Sequence, residues 1–218
     1  MRRRFALALD QGGSFLDILA APLHDSREGA RIAKRPRRED IAEALSAFLA
    51  REAIAPGEVA SITIATTLAA NALLTGEASP VALIATRGFT DLPDLGRQSR
   101  PDPDDADPPP PTPPWLCPPE WRFGLPGRIA ADGSEAEPLD EAALARIAAA
   151  VPPGVPVAVC LLFSHRNPAH ELRVRAALPH ATLSHRVDPQ PREFERMLTT
   201  LAAASLAPLL ARLLEDLS

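Results

Sequence analysis

Two short apolar runs, residues 5–9 and 15–21, flank the tetrapeptide Asp10-Gln11-Gly12-Gly13. Runs of that length joined across a glycine pair close as a β-hairpin, because glycine reaches turn conformations that side chains resist. An opening hairpin commits the chain to a sheet, and the next segments decide which kind. Residues 31–34 predict a third strand. Ile41, Leu45, Phe48 and Leu49 recur at helical spacing, with Glu39 and Asp40 placed in the first turn where negative charge suits the helix dipole. Residues 61–65 and 81–85 predict strands, 68–74 a short helix, and 89–95 a turn or two of helix. Strands alternating with helices after a hairpin predict an α/β fold with a mixed sheet flanked by helices.

Residues 101–126 hold 11 prolines. Proline lacks a backbone donor and restricts its predecessor, so this stretch predicts a stiff surface loop outside the core. Asp132-Gly133 predicts the turn of a second hairpin over 128–139. Asp140 is placed to cap a helix ending at Val151, with Leu144 and Ile147 inward. The most apolar run, 155–163, predicts a central strand. Asn167-Pro168 predicts a capped helix start with proline in the first turn, and residues 181–185 another strand. From Arg192 the chain turns helical. Leu206, Leu209, Leu210, Leu213, Leu214 and Leu217 then form one apolar stripe, expected to dock on a second polypeptide or another copy, and Pro208 fits near a helix start. With 46% hydrophobic residues, the whole of 1–218 is read as one domain able to bury a core.

A net charge of −5 offers no basic face for nucleic acid. The apolar run after Arg2-Arg3-Arg4 stops at Asp10, too early for a signal peptide, and no segment approaches the ~20 apolar residues of a membrane span. Cys117 and Cys160 make no disulfide framework. A cytoplasmic protein without membrane contact is the expectation. His165, His170 and His185 lack the tight spacing of a metal site.

Asp10-Gln11-Gly12-Gly13-Ser14 carries the best local chemistry. A glycine turn leaves backbone N–H groups unshielded, and such a nest accepts phosphate oxygens. Ser14 adds a hydroxyl donor, and Asp10 can hold a magnesium ion through water. The plain alternative is a tight turn. Thr66, Thr67 and Asn71 stand where a strand hands over to a helix; they either cap that helix or face a substrate at the strand's carboxyl end. Arg87 and Arg97 either clamp an anionic substrate or form a solvated face.

Six stretches in order resemble the hydantoinase A/5-oxoprolinase family. They are Asp10-Gln-Gly-Gly-Ser-Phe-Leu-Asp17; Thr66-Thr-Leu-Ala-Ala-Asn-Ala-Leu-Leu74; Thr86-Arg-Gly-Phe-Thr-Asp91 with Gly96-Arg-Gln-Ser-Arg-Pro101; Cys160-Leu-Leu-Phe-Ser164; Asn167-Pro-Ala-His-Glu171; and Arg192-Glu-Phe-Glu-Arg196 with Thr199-Thr200. Ser14 and Leu16 stand where the family has threonine, and Ile64-Ala65 where it has His-Gly. The resemblance implies an actin-like, ribonuclease-H-type ATPase lobe that uses ATP and Mg2+ to open a cyclic amide of the 5-oxoproline or hydantoin type. It implies Gly12, Gly13 and Ser14 as phosphate contacts and Asp10 as the magnesium-water anchor. Asp10 and Asp17 follow as catalytic residues, and Thr66, Thr67, Asn71, Arg87 and Arg97 as substrate contacts. Nothing after Asp17 resembles the family's second glycine motif, so the resemblance implies a separate polypeptide carrying the second lobe, or self-association. The alternative is a binding module that keeps the fold without turnover.

Overall fold

The computed structural model describes residues 4–23, 29–36, 40–97, 104 and 112–216. They divide into two compact units, Met1–Thr75 with Leu209–Ser218, and Gly76–Pro208.

In the first unit β1 (Phe5–Gln11) and β2 (Phe15–Pro22) form the predicted antiparallel hairpin, with Gln11 opposite Leu16. β3 (Arg31–Pro36) adds beyond β2, and β4 (Val59–Thr66) lies parallel to β1, giving the order β3-β2-β1-β4. Strand alternation sorts the side chains. Phe5, Leu7 and Leu9 with Leu16, Ile18 and Ala20 are buried on one face, which leaves Asp10 and Asp17 on the other. α1 (Ile41–Arg51) seals the apolar face with Ile41, Ala44 and Phe48. Asp40 lies outside that helix as its N-cap, not in its first turn: one carboxylate oxygen accepts from the N–H groups of Ala42 and Glu43. Glu39 lies outside the described residues. β4 forms one edge of the sheet, and α2 (Leu68–Thr75) follows it.

The second unit is built on β5 (Ala82–Thr86), which is buried throughout. α3 (Leu92–Leu95) follows, and β6 (Arg122–Leu125) pairs parallel with β5. β7 (Arg128–Ile129) and β8 (Glu135–Glu137) make the second predicted hairpin. α4 (Glu141–Ala150) starts at its Asp140 cap, and β9 (Val157–Cys160) is an interior strand as predicted, though shorter. α5 (Ala169–Ala177), β10 (Thr182–Leu183), α6 (Ser184–Val187) and α7 (Glu193–Asp216) complete the unit, with strand order β10-β9-β5-β6, all parallel. A parallel sheet needs cover on both faces. Ala82, Ile84, Val157 and Val159 pack with Leu144 of α4 and Val174 of α5. Leu83, Ala85, Ala158 and Cys160 pack with Met197, Leu201 and Ala204 of α7.

Several expectations change here. The proline-rich stretch is not excluded from the core beyond residue 112. Leu116 and Cys117 are buried, the N–H of Val81 donates to the Leu116 carbonyl at 2.9 Å, and β6 belongs to the sheet. The prolines punctuate this segment without occupying β6, which lies at the sheet edge. Arg122 secures it: Nε and Nη2 donate to the Cys117 carbonyl at 3.0 and 2.9 Å, and the guanidinium also pairs with Asp94. Residues 101–103 and 105–111 lie outside the described residues. α5 begins one residue after Pro168, with the Asn167 side-chain oxygen accepting from the Ala169 N–H. Residues 184 and 185, expected in a strand, open α6 instead.

α7 starts well before Pro208, which therefore sits inside the helix and denies Ala204 its usual hydrogen-bond donor. By length and composition α7 also meets the test for a membrane crossing, unlike the sequence reading. Its Met197, Leu201 and Ala204 are nevertheless buried against protein. The leucine stripe splits: Leu213 packs on the first unit's core, whereas Leu210 and Leu214 are 37% and 67% exposed. Leu217 lies outside the described residues.

Candidate functional site at the glycine hairpin

The tip of the β1–β2 hairpin and the start of α2 meet in the first unit. Parallel pairing sets Asp10 beside Ala65 and Gln11 beside Thr66. The Gln11 carbonyl accepts from the Thr66 hydroxyl at 3.3 Å and from the Thr67 N–H at 3.2 Å. Thr66 Oγ1 also accepts from the Leu68 N–H at 3.0 Å, so this threonine does cap α2. Thr67 Oγ1 accepts from Asn71 Nδ2 at 3.3 Å. A Cβ built on Gly13 would lie 3.7 Å from that same Nδ2. Eight predicted residues are thus assembled: Asp10, Gly12, Gly13, Ser14, Asp17, Thr66, Thr67 and Asn71.

The turn departs from the expected nest in one respect. Gly12 does not offer its N–H, which donates to the Phe15 carbonyl at 2.9 Å and closes the hairpin, leaving Gly13 and Ser14 at the tip. Neither Gly12 nor Gly13 has positive φ, and a Cβ on either would meet only ordinary contacts. Backbone strain and packing therefore do not demand glycine here. The two missing side chains leave the turn sterically open.

Asp10 and Asp17 stand directly opposite one another in the β1–β2 register. Like charges in that relation repel unless something compensates. Lys34, opposite Asp17 on β3, supplies one cation: its Nζ lies 3.4 Å from Asp17 and 4.8 Å from the centre of the Phe15 ring. Both carboxylates line a hollow of about 350 Å³ on the outer sheet face, with Ala8, Leu19, Thr63 and Ala65. Two open carboxylates beside bare backbone fit magnesium, a hard ion held by one or two carboxylates and the oxygens of a phosphate. Gln11 adds a feature no spacing rule flagged: its Oε1 is buried and takes no hydrogen bond among the described residues.

Arg87 and Arg97 belong to the second unit. Arg87 is exposed in the turn after β5, its N–H donating to Leu125, and Arg97 Nε donates to Glu195 at 2.7 Å.

Sequence reasoning missed a buried polar network in this unit. Glu171 Oε1 accepts from the Leu161 N–H at 3.0 Å and from the Ser184 hydroxyl at 2.6 Å. Its Oε2 lies 2.6 Å from His185 Nδ1. Arg196, fully buried, donates to Ser184, to the carbonyls of Leu161 and Gln190, and to His165 Nδ1. Three of the quoted stretches meet here, but the contact between them is set by tertiary structure.

The chain is similar to known proteins along nearly its whole length. The model of the hydantoinase/oxoprolinase N-terminal region matches residues 6–181. The alpha subunit of the caprolactamase of Pseudomonas jessenii is 35% identical over 98% of this chain, and an uncharacterised protein of Methanocaldococcus jannaschii is 29% identical over 97%. The crystal structure of the ATP-dependent caprolactamase of Pseudomonas jessenii superposes with a TM-score of 0.79 and 31% identity over 97% of this chain. Nucleotide-free acetone carboxylase superposes with a TM-score of 0.78 over 94%, at 21% identity. This chain spans about a third of each relative, between 32% and 33% of its length. The fold is an actin-like, ribonuclease-H-like ATPase lobe of mixed α/β architecture. With its model matched over well more than half the residues, the chain belongs to the hydantoinase/oxoprolinase family, as that family's N-terminal region.

Proposed function

We propose that the chain is the amino-terminal lobe of an ATP-dependent hydrolase that opens cyclic amides. The observation that carries this is the meeting of a bare glycine hairpin, two facing carboxylates and the Thr66–Thr67–Asn71 helix start in one place. A cyclic amide resists water because its nitrogen is a poor leaving group, and phosphorylation of the amide oxygen makes the carbonyl electrophilic. In this reading the absence of side chains at Gly12 and Gly13 lets phosphate oxygens approach the turn, and the Ser14 hydroxyl donates to them. Asp10 anchors Mg2+ through water, and Asp17 orients the reacting group from the opposite strand. Magnesium, when bound, would neutralise phosphate charge. Thr67 and Asn71 face the substrate beside the hairpin. The caprolactamase relative supports a lactam as readily as 5-oxoproline or a hydantoin.

The chain corresponds to about a third of its relatives' length, and in this reading a second lobe, on the same or a separate polypeptide, completes the nucleotide site. Exposed Leu210 and Leu214 are that lobe's proposed contact. L210E with L214E should weaken that association while leaving the thermal midpoint of this chain unchanged, as read by sedimentation and calorimetry.

The test measures lactam-dependent ADP formation by this lobe together with the lobe that carries the second glycine motif, joined or added separately. D10A is expected to lower turnover by about a hundredfold or more, the scale of a lost preorganised electrostatic element at the reacting centre. Undiminished turnover in D10A and in D17A would overturn the reading.

A further inference from the structure

A second cleft lies wholly within the second unit, at the carboxyl ends of β5 and β9, where open parallel sheets receive ligands. Its volume is about 470 Å³. Three arginines, Arg128, Arg166 and Arg192, line it against one carboxylate, Glu193. Phe89, Leu92 and Phe163 give it apolar walls. None of these arginines belongs to the glycine hairpin or to the substrate contacts assigned above.

The backbone around the cleft is built at a cost. Among the described residues three non-glycine residues have positive φ, and two of them line this cleft: Phe163 at 54° and Arg192 at 79°. The left-handed region is unfavourable for a bulky side chain and persists where surroundings impose it. Here the imposing group is Arg196. It grips the Leu161 carbonyl two residues before Phe163 at 3.1 Å, and the Gln190 carbonyl two residues before Arg192 at 2.9 Å. Glu171 holds the Leu161 N–H, and Thr86 Oγ1 accepts the Leu162 N–H at 3.0 Å. One buried network thus fixes two lips of the cleft. The same Arg196 donates to His165 Nδ1, which must then be the unprotonated nitrogen, leaving Nε2–H as that ring's donor. Burial first, and then the charges of Arg196 and Arg166, hold the His165 pKa below its ordinary value.

We propose that this cleft binds a small monocarboxylate with an apolar body. Guanidinium groups and a neutral imidazole N–H are donors matched to a carboxylate, and the aromatic and leucine walls suit a hydrocarbon chain. Glu193 on the same rim opposes a dianion, which favours carboxylate over phosphate. The site does not depend on the ATP reading, since it uses neither the hairpin nor its carboxylates.

The experiment titrates hexanoate, hexanamide and inorganic phosphate separately into the isotopically labelled protein, followed by amide NMR and calorimetry. Hexanoate should saturate, binding about tenfold or more tighter than hexanamide, with the largest shifts in residues 161–166 and 190–193. R128Q with R166Q, both exposed in the folded chain, should weaken hexanoate by a similar factor at an unchanged thermal midpoint. Equal binding of hexanamide, tighter binding of phosphate, no saturation, shifts confined to residues 10–17, or an unaffected double variant would each overturn the proposal. Should that variant lower the midpoint, R166Q alone decides by the same criteria.

Discussion

Arg196 carries a permanent charge, so every group it touches has adapted to it. Its contacts to Ser184, Leu161, Gln190 and His165 engage four of its five N–H donors inside the core. Arg196→Met removes a charged donor from each of these four acceptors, though Leu161 keeps the Ser164 N–H and Ser184 the Ser164 hydroxyl, and should cost about 3–5 kcal/mol. Urea denaturation measures this, and a loss within about 0.5 kcal/mol, the usual range of a surface change, would contradict it. His165 answers the same charge differently. Its folded pKa lies below the unfolded value, near 6.5. Between the two values the unfolded chain holds more protons. Stability therefore rises with pH across that window and is lost as pH falls through the folded pKa. Thermal melts from about pH 7 to 5 should show a shallower decline for His165→Gln than for wild type. Parallel declines would exclude His165 as the source.

Elements with local causes were legible in the sequence. The opening hairpin, α1, α4 and the interior strand β9 follow from alternation, helical spacing and a capping aspartate, all short-range. The placement of the candidate residues on one hairpin was equally legible, because Asp10 through Asp17 needs only a two-strand register. The rest depended on distant partners. β6 follows a proline-rich stretch, and only pairing with β5 and the Arg122 clamp make it sheet. Lys34 faces Asp17 through the third strand, and Glu171 meets Ser184 through the packing of α5 on β9 and β10. No periodicity encodes such meetings. The segment at 112–126 offers a direct check at this scale. Leu116→Ala should lower stability by about 2–5 kcal/mol, as for any buried leucine. A change near zero would restore it to the surface.

At the scale of the molecule, α7 is the element both units use. Its residues through Pro208 belong to one unit and those from Leu209 to the other. Met197, Leu201 and Ala204 anchor the first stretch, and Leu213 the second. Substitution at Leu213 should therefore lower the stability of the first unit's core, whereas Leu214→Glu should not.

Both cysteines, Cys117 and Cys160, lie buried in the second unit, where desolvation pushes each thiol up to about 11. Only a thiolate is a competent nucleophile, so at neutral pH the native chain should be nearly inert to alkylating reagents. The first unit contributes no sulfhydryl at all. Labelling kinetics would then follow the opening of one unit alone, a chemical clock already written into the protein.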